Sequence, residues 1–343
     1  MQSSARLADV RVQGAQATRT SFLDFLIRPH ISSNATPSAI DGTMEDVMRR
    51  VSRITGHLEQ TDIFASVQPA LERSRSPLAE DGDLDLVLRV KERSRLFLKG
   101  ATETGNGEGT ASATAKIRNA FGGAETLEGT MSFGTTTRRS FQVRLEAPLT
   151  PSLRTTGEIS AFQFDRDQTV FASSTESVVG ARASVKTSSA LGAHELAYEA
   201  ALRRIKDLSP LVSPSLREAA GQSIKSSVSH TLIRDSRDLH TMGSTGAYFK
   251  LAQEIAGLGG DAHHFKTETD FSISRLVHPG MTLSLTARAG SLIPLFGKQT
   301  LFNDRFQLGG PTSLRMFRHN GLGPKDGGTS FQLPGPGWCH ILG

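Results

Sequence analysis

The sequence predicts a small α+β domain followed by an antiparallel β-barrel, and three observations carry that prediction. Residues 7–92 mix helical periodicity with alternating strands. From Arg93 onward, segments of about ten residues alternate small or polar with apolar side chains, the pattern of an outer-membrane-type barrel. No run of about 18 apolar residues occurs, so no transmembrane helix is predicted, whereas barrel strands are only half apolar and escape such a scan.

In the first region, Val10–Gly14 is a short alternating strand closed by glycine. Thr18–Ile27 reads as a helix, with Thr20 as its N-cap, Phe22, Leu23, Phe25 and Leu26 at helical spacing, and Pro29 as its stop. Ser32–Gly42 is polar and loop-like. Thr43-Met44-Glu45-Asp46 has the form of a capping box, and Val47, Val51, Ile54 and Leu58 form the apolar face of the helix it opens. Strands are expected at Thr61–Val67 and Asp83–Val90, the second alternating charged and apolar residues. The order is strand, helix, helix, strand, strand.

The strands expected next are Leu96–Thr104, Thr110–Asn119, Glu125–Gly134, Arg139–Leu149, Thr155–Asp165, Val178–Thr187, Glu195–Ile205, Gln222–Arg234, Thr245–Ile255, Phe265–Leu276 and Met281–Leu292. Helix competes at Leu191–Lys206, where Ala and Glu are plentiful, but the regular succession of strands outweighs local propensity. Lys206–Gly221, with Pro210 and Pro214, is one long loop. A soluble sandwich or a solenoid is the alternative. A sandwich shows shorter strands and a more apolar inner face, and a series of strands without helical interruption favours the barrel.

Composition bounds the partners. The chain of 343 residues has room for two or three domains, or for one small domain and one large all-β one. A net charge of +5 is only mildly basic, and Lys and Arg are scattered rather than gathered in a stripe with aromatics, which argues against nucleic acid as a partner. Cys339 is the only cysteine, so neither a disulfide framework nor a cysteine zinc site is expected. Met1–Asp24 lacks an apolar signal core and carries acidic residues early, which argues against a secretory signal and a matrix presequence.

The densest signal is Arg305–Phe317. Gly309-Gly310-Pro311 cannot continue a helix or a central strand, so it marks a stiff bend. Arg315 beyond it carries a permanent charge and a rigid fork of donors suited to a buried carboxylate. Phe317 points the same way if the segment is extended. Such a loop can fold inward and plug a cavity, and an ordinary surface turn beside a basic patch is the alternative.

A strand-helix-helix-strand-strand unit leading into a strand series resembles a POTRA domain and the barrel of the BamA/TpsB superfamily. The loop is similar to that family's Gly-Gly-x-x-Ser-Val-Arg-Gly-Phe element, matched here by Gly309, Gly310, Ser313, Arg315 and Phe317. Leu314 replaces Val, and Met316 stands where glycine is usual. Asp235, Arg237 and Asp238, followed by Gly243 and Gly246, resemble the family's Asp-x-Arg-Asp hairpin; His240-Thr241-Met242 departs from its usual proline-bearing turn. Alone, these three charged residues would read as a solvated hairpin. A single POTRA-like unit, the lack of a secretory signal and the stretch Gly321–Gly328 point to the mitochondrial branch, the channel subunit of the sorting and assembly machinery. The bacterial two-partner secretion pore is a further alternative, against which the missing signal counts.

The resemblance implies a POTRA-like domain over residues 1–92 in the intermembrane space. A partial transmembrane barrel follows over 93–328, with an inward-folding loop near 300–328 and an atypical tail over 329–343. The family barrel has roughly sixteen strands, of which about eleven are expected here. Pro334, Pro336 and the glycines of the tail argue against a strand there, so the chain is expected to be C-terminally truncated. A fragment whose POTRA domain only binds precursors or partner subunits is therefore a rival to a working insertase.

The insertase reading implies β-barrel precursors, other subunits of the complex and outer-membrane lipid as partners. The first barrel strand, through Leu96, Leu98 and Gly100, would template the incoming strand, and Arg315 and Phe317 would hold the loop. No bond is made or broken, so neither enzymatic residues nor a cofactor are expected. His194, His230, His240, His263, His264 and His278 lack the clustered acidic or cysteine partners of a metal site. Phosphate-loop and nucleophile-elbow motifs are absent from the sequence.

Overall fold

The computed structural model describes residues 4–31, 42–75, 77, 79, 82–105, 108–210, 212, 214–238, 245–278, 281–310, 314, 316–317, 320, 322 and 339–342. The chain forms two compact units: one comprises Met1–Leu98, Ala115–Glu128 and Leu145–Gly157, the other the remaining residues.

The N-terminal part of the first unit runs β1 (Ser4–Gln13), α1 (Thr20–Ile31), β2 (Gly42–Thr43), α2 (Met44–Gln60), β3 (Phe64–Arg73) and β4 (Asp83–Glu92). Its sheet order is β2-β1-β4-β3. β1 pairs with β4 in parallel, which requires the crossover that the two helices supply. Val47, Val51, Ile54 and Leu58 of α2 are buried as their spacing predicts, against Phe22, Leu23, Leu26 and Ile27 of α1 and Leu86 and Leu88 of β4. The Asp46 carboxylate accepts from the Thr43 backbone N–H at 3.1 Å and its hydroxyl at 3.0 Å, the reaching-back half of the predicted box.

Three local expectations are corrected. Thr20 is the first helical residue rather than the cap; the Arg19 carbonyl, one residue earlier, accepts the Leu23 N–H at 3.2 Å. Pro29 lies inside α1, which continues to Ile31. The carbonyl that loses its donor belongs to Phe25, a residue 37% exposed, so water can serve it. The strand expected from Thr61 begins at Phe64, because Asp62 turns the chain with φ +58°.

The second sheet runs in sequence order through β5 (Leu96–Gly105), β6 (Glu108–Arg118), β7 (Thr126–Gly134), β8 (Thr137–Pro148), β9 (Thr155–Asp167), β10 (Thr175–Ser189), β11 (Gly192–Lys206), β12 (Gly221–Asp235), β13 (Gly246–Ala256), β14 (His264–His278), β15 (Met281–Pro294) and the short β16 (Cys339–Leu342). Each expected strand has its counterpart from β5 to β15. Helix loses at β11 because that segment is paired on both sides, with β10 and β12. The expectation of no strand in the tail is corrected for Cys339–Leu342, which pairs with Arg288–Ser291. Those four residues contain neither Pro nor Gly, and the proline-bearing stretch before them lies outside the described residues. Short helices α3 (Thr169–Ala172) and α4 (Pro214–Glu218) sit in the β9–β10 and β11–β12 connections.

Register sorts the side chains by face, since directly paired residues share one. Tyr198, Val228, Ile255, Phe265 and Ile293 pair in succession from β11 to β15 and make an apolar row. On the opposite face Asp270 stands between Lys250 and Arg288, Glu254 pairs with Lys266, and Arg182 with Glu199. Tyr198, Ile255 and Ile293 are each close to half-exposed, so none of the described residues covers this row at those positions. Among the described residues no helix is long and apolar enough to cross a membrane, which leaves strands as the elements that can.

Asp85 of β4 is 2% exposed and pairs with Arg11 of β1. Burial pushes its carboxyl upward, but hydrogen bonds from Ser74, from the Arg75 N–H and from Arg11 outweigh that and hold it below the ordinary 3.8. A depressed folded-state value stabilises above the unfolded value and is lost as pH falls through the folded one. Asp85→Asn is therefore expected to lower the unfolding midpoint of this domain at neutral pH, with the gap from wild type closing below about pH 4. Denaturant unfolding across that range checks it; a gap independent of pH would contradict it.

Candidate functional site

Three features named from sequence are resolved at least in part: the first strand of the large sheet, the charged hairpin, and the glycine-bearing loop. β5 ends the sheet order on one side. Leu96 and Leu98 are 57% and 68% exposed, and a Cβ added at Gly100 would meet only the Ser112 carbonyl, at 4.0 Å. Among the described residues this strand therefore has a neighbour on one side only, and its apolar side chains and Gly100 are uncrowded.

The connection into β5 is held at each residue. The Arg93 N–H donates to the Ile63 carbonyl at 2.8 Å, its Nε to the Phe64 carbonyl at 3.0 Å, and its guanidinium lies 2.9 Å from Asp62. Arg95 donates to the Asn119 and Ala120 carbonyls, both at 2.9 Å, and accepts from the Arg118 N–H at 2.7 Å. The Arg118 guanidinium lies 3.5 Å from Asp62 and 5.9 Å from the Phe97 ring centre. Beside it, Glu92 accepts from Thr18 Oγ1 at 2.7 Å, and Asn119 Nδ2 donates to the same hydroxyl at 3.0 Å. Arg19 pairs with Glu125 at 2.5 Å, and its N–H donates to the Gly122 carbonyl at 2.8 Å. Gly122 has φ +89°, and a Cβ there would lie 3.0 Å from the Ala17 carbonyl, so only glycine permits this approach.

The Asp-x-Arg-Asp element closes β12 onto β13. Asp235 accepts from Arg237 Nε at 2.9 Å and Nη2 at 2.7 Å, a two-toothed pair, and the guanidinium sits 4.6 Å from the Tyr248 ring centre. The Asp238 N–H donates to the Thr245 carbonyl at 2.9 Å. Gly246 has φ +116°, and a Cβ there would lie 2.4 Å from the Ser236 carbonyl. Thus Asp235, Arg237 and Asp238 at the end of one strand and Gly246 at the start of the next hold the two strand ends together. His240–Met242 and Gly243 lie outside the described residues.

The loop doubles back on itself. Leu308 bridges Leu322, the Asn320 N–H donates to the Gly309 carbonyl at 3.1 Å, and Asn320 Nδ2 to Gln307 at 2.6 Å. Gly309 and Gly310 have φ +117° and +115°, which explains the pair of glycines. Met316, where the family-like element has glycine, has φ +74°, a left-handed conformation that is strained for a residue with a side chain. Phe317 is half-exposed. Ser313 and Arg315 lie outside the described residues, as do Gly321 and residues 323–328. Phe306 instead lies over the charged face of the sheet, with Lys266 Nζ 4.7 Å from its ring centre and Gly290 of β15 beneath it.

Sequence reading missed the residues just before the motif. Phe302–Asp304 forms a single 3₁₀ turn. Asp304 pairs with Arg203 of β11 at 2.6 Å and lies 3.8 Å from His264, all three buried. Asn303 donates to Glu176 of β10 at 2.6 Å, and Gln168 donates to the other Glu176 oxygen at 2.7 Å. Phe302 packs with Phe171, Ala172, Ile205, Val212 and Leu216. The signal available in the sequence was weak: charged residues at alternate positions of strands whose other face is apolar. Elsewhere, His194 and His230 stack at 5.5 Å. No group of three or more His, Cys, Asp or Glu is placed to hold a metal among the described residues.

Comparison with known proteins bears on this arrangement. The Omp85 superfamily domain matches residues 119–333. The SAM50-like protein SPAC17C9.06 of Schizosaccharomyces pombe is 33% identical over 330 residues, covering 94% of this chain and 69% of its own length. The sorting and assembly machinery component 50 homolog of Xenopus tropicalis is 29% identical over 284 residues, covering 82% of this chain and 60% of its own. The crystal structure of BamA from Haemophilus ducreyi lacking POTRA domains 1–3 shares the fold, with a TM-score of 0.78 at 16% identity over 94% of this chain and 62% of that one. The chain thus spans between 60% and 69% of the length of these relatives.

A Cβ at Gly290 would fall 2.6 Å from the tip of the Phe306 ring. Gly290→Ala is expected to push that ring off the sheet and to speed proteolysis of the loop, and Gly290→Val more so. Adding Phe306→Ala should remove the clash, so that G290V/F306A and F306A alone are cut at the same rate; a further increase from Gly290→Val in the F306A background would contradict the packing.

Proposed function

Because the chain belongs to the Omp85 superfamily and is of the SAM50 type, we propose that it inserts and assembles β-barrel proteins into the mitochondrial outer membrane. One observation carries the reading: a sequential antiparallel sheet, apolar on one face and charged on the other, has its first strand at the margin and a double-glycine loop over its charged face. Residues 93–328 are assigned to the membrane barrel. The strand-helix-helix-strand-strand domain of residues 1–92 is assigned as a POTRA domain in the intermembrane space.

The physical task is to bring a strand into lipid without exposing its backbone. Each unsatisfied N–H or C=O in the hydrocarbon region costs several kcal/mol. The β5 margin, at Leu96, Leu98 and Gly100, supplies matching donors and acceptors, so an incoming strand is satisfied as it enters. The POTRA domain holds precursors by the same kind of edge addition. No covalent bond changes, so the protein is not an enzyme in this reading and uses no cofactor; its partners are β-barrel precursors, companion subunits and outer-membrane lipid. The ties at Arg93, Arg95 and Arg118 fix one end of β5, which favours approach of the new strand in one register.

Purified protein reconstituted into liposomes is expected to raise the insertion rate of an unfolded β-barrel substrate severalfold over empty liposomes. Gly100→Pro, which removes one donor from the margin, should abolish most of that gain while leaving the protein in the membrane. Equal rates with and without the protein would overturn the reading.

A further inference from the structure

The turn Phe302–Asp304 precedes the double glycine by five residues and belongs to neither family-like motif. Consecutive side chains of a 3₁₀ turn point about 120° apart, so one turn can engage three surroundings at once. Here Phe302 enters an apolar cluster formed by α3, β11 and the β11–β12 connection, Asn303 reaches Glu176, and Asp304 reaches Arg203. Arg203 is 9% exposed and Asp304 4%. The residues paired across from Arg203 are Val178 and Ser223, neither of them acidic. Glu176, the nearby carboxylate, already accepts from Gln168 and Asn303.

We infer that Asp304 is a positioning residue: its buried ion pair with Arg203 anchors the start of the glycine-bearing loop, residues 305–310, to the charged face of the sheet. A buried cation deprived of its partner is strongly disfavoured, so the loop and the wall hold each other in an all-or-none manner. This anchor does not depend on the insertion reading, because it concerns where the loop rests and not what the sheet does.

The test is a double-mutant cycle in the full-length protein in detergent, reading trypsin cleavage after Lys298 and Arg305 by mass spectrometry. Asp304→Ala and Arg203→Ala are each expected to speed loop cleavage by at least about tenfold. The double variant should be cut no faster than the faster single one, since neither charge is then left buried alone. Asp304→Glu should retain most of the protection, and Asp304→Asn, which keeps the shape and removes the charge, serves should the alanine variant fail to fold. Unchanged cleavage in Asp304→Asn, or a double variant whose effect is the product of the two singles, would overturn the anchor.

Discussion

Continuous antiparallel register from β10 to β15 decides on which face the charged groups of those strands lie. Side chains alternate with period two, so a slip of one residue in any pair would carry Arg203, Glu254 or Asp270 to the apolar face. The opposed charges are also placed by register: Arg288 lies 3.0 Å from Asp270, and Arg182 2.7 Å from Glu195. The apolar row on the other side carries charge only near the strand ends, at Arg204, Arg234 and Arg275. A loop with its own buried acid then has a wall to dock on, and a bilayer has a surface to meet.

The same economy of position holds at the entry to the sheet. Three residues separate β4 from β5, and the chain there is fastened by Asp62, by the Ile63 and Phe64 carbonyls and by the turn at Asn119 and Ala120. Each such ion pair at a surface is worth little by itself. Their effect comes from number and from the glycine at position 122, which admits the N-terminal segment to hydrogen-bond contact. The N-terminal domain and the near ends of the first strands therefore form one compact unit, and the root of β5 is part of it.

Much of this was legible in the sequence. Alternation over β5–β15 placed every strand within a few residues, because a half-lipid, half-polar sheet imposes period two strongly. The capping box at Thr43 and the apolar face Val47-Val51-Ile54-Leu58 were legible for the same reason, a strict local period. What escaped was tertiary. Pro29 reads as a helix stop but is accommodated by an exposed turn. Asp62 and Gly122 matter through partners far along the chain. Asp304, Asn303 and Arg203 carry no local signal, since an acid two residues after a phenylalanine means nothing until β11 and β10 are known to face it. The motif residues that sequence singled out, by contrast, were found by resemblance, and Gly309, Gly310 and Met316 show its backbone basis in their positive φ.

The central claim is that β5 receives the incoming strand, and cysteine crosslinking addresses it most directly. Single cysteines placed along Leu96–Thr104, in a background in which Cys339 is replaced by serine, would be oxidised with a β-barrel precursor arrested in mitochondria and carrying single cysteines in its terminal strand. The account predicts disulfides at successive positions in one antiparallel or parallel register, with the same residue difference or sum throughout. Crosslinks absent from β5, or scattered without register, would contradict it.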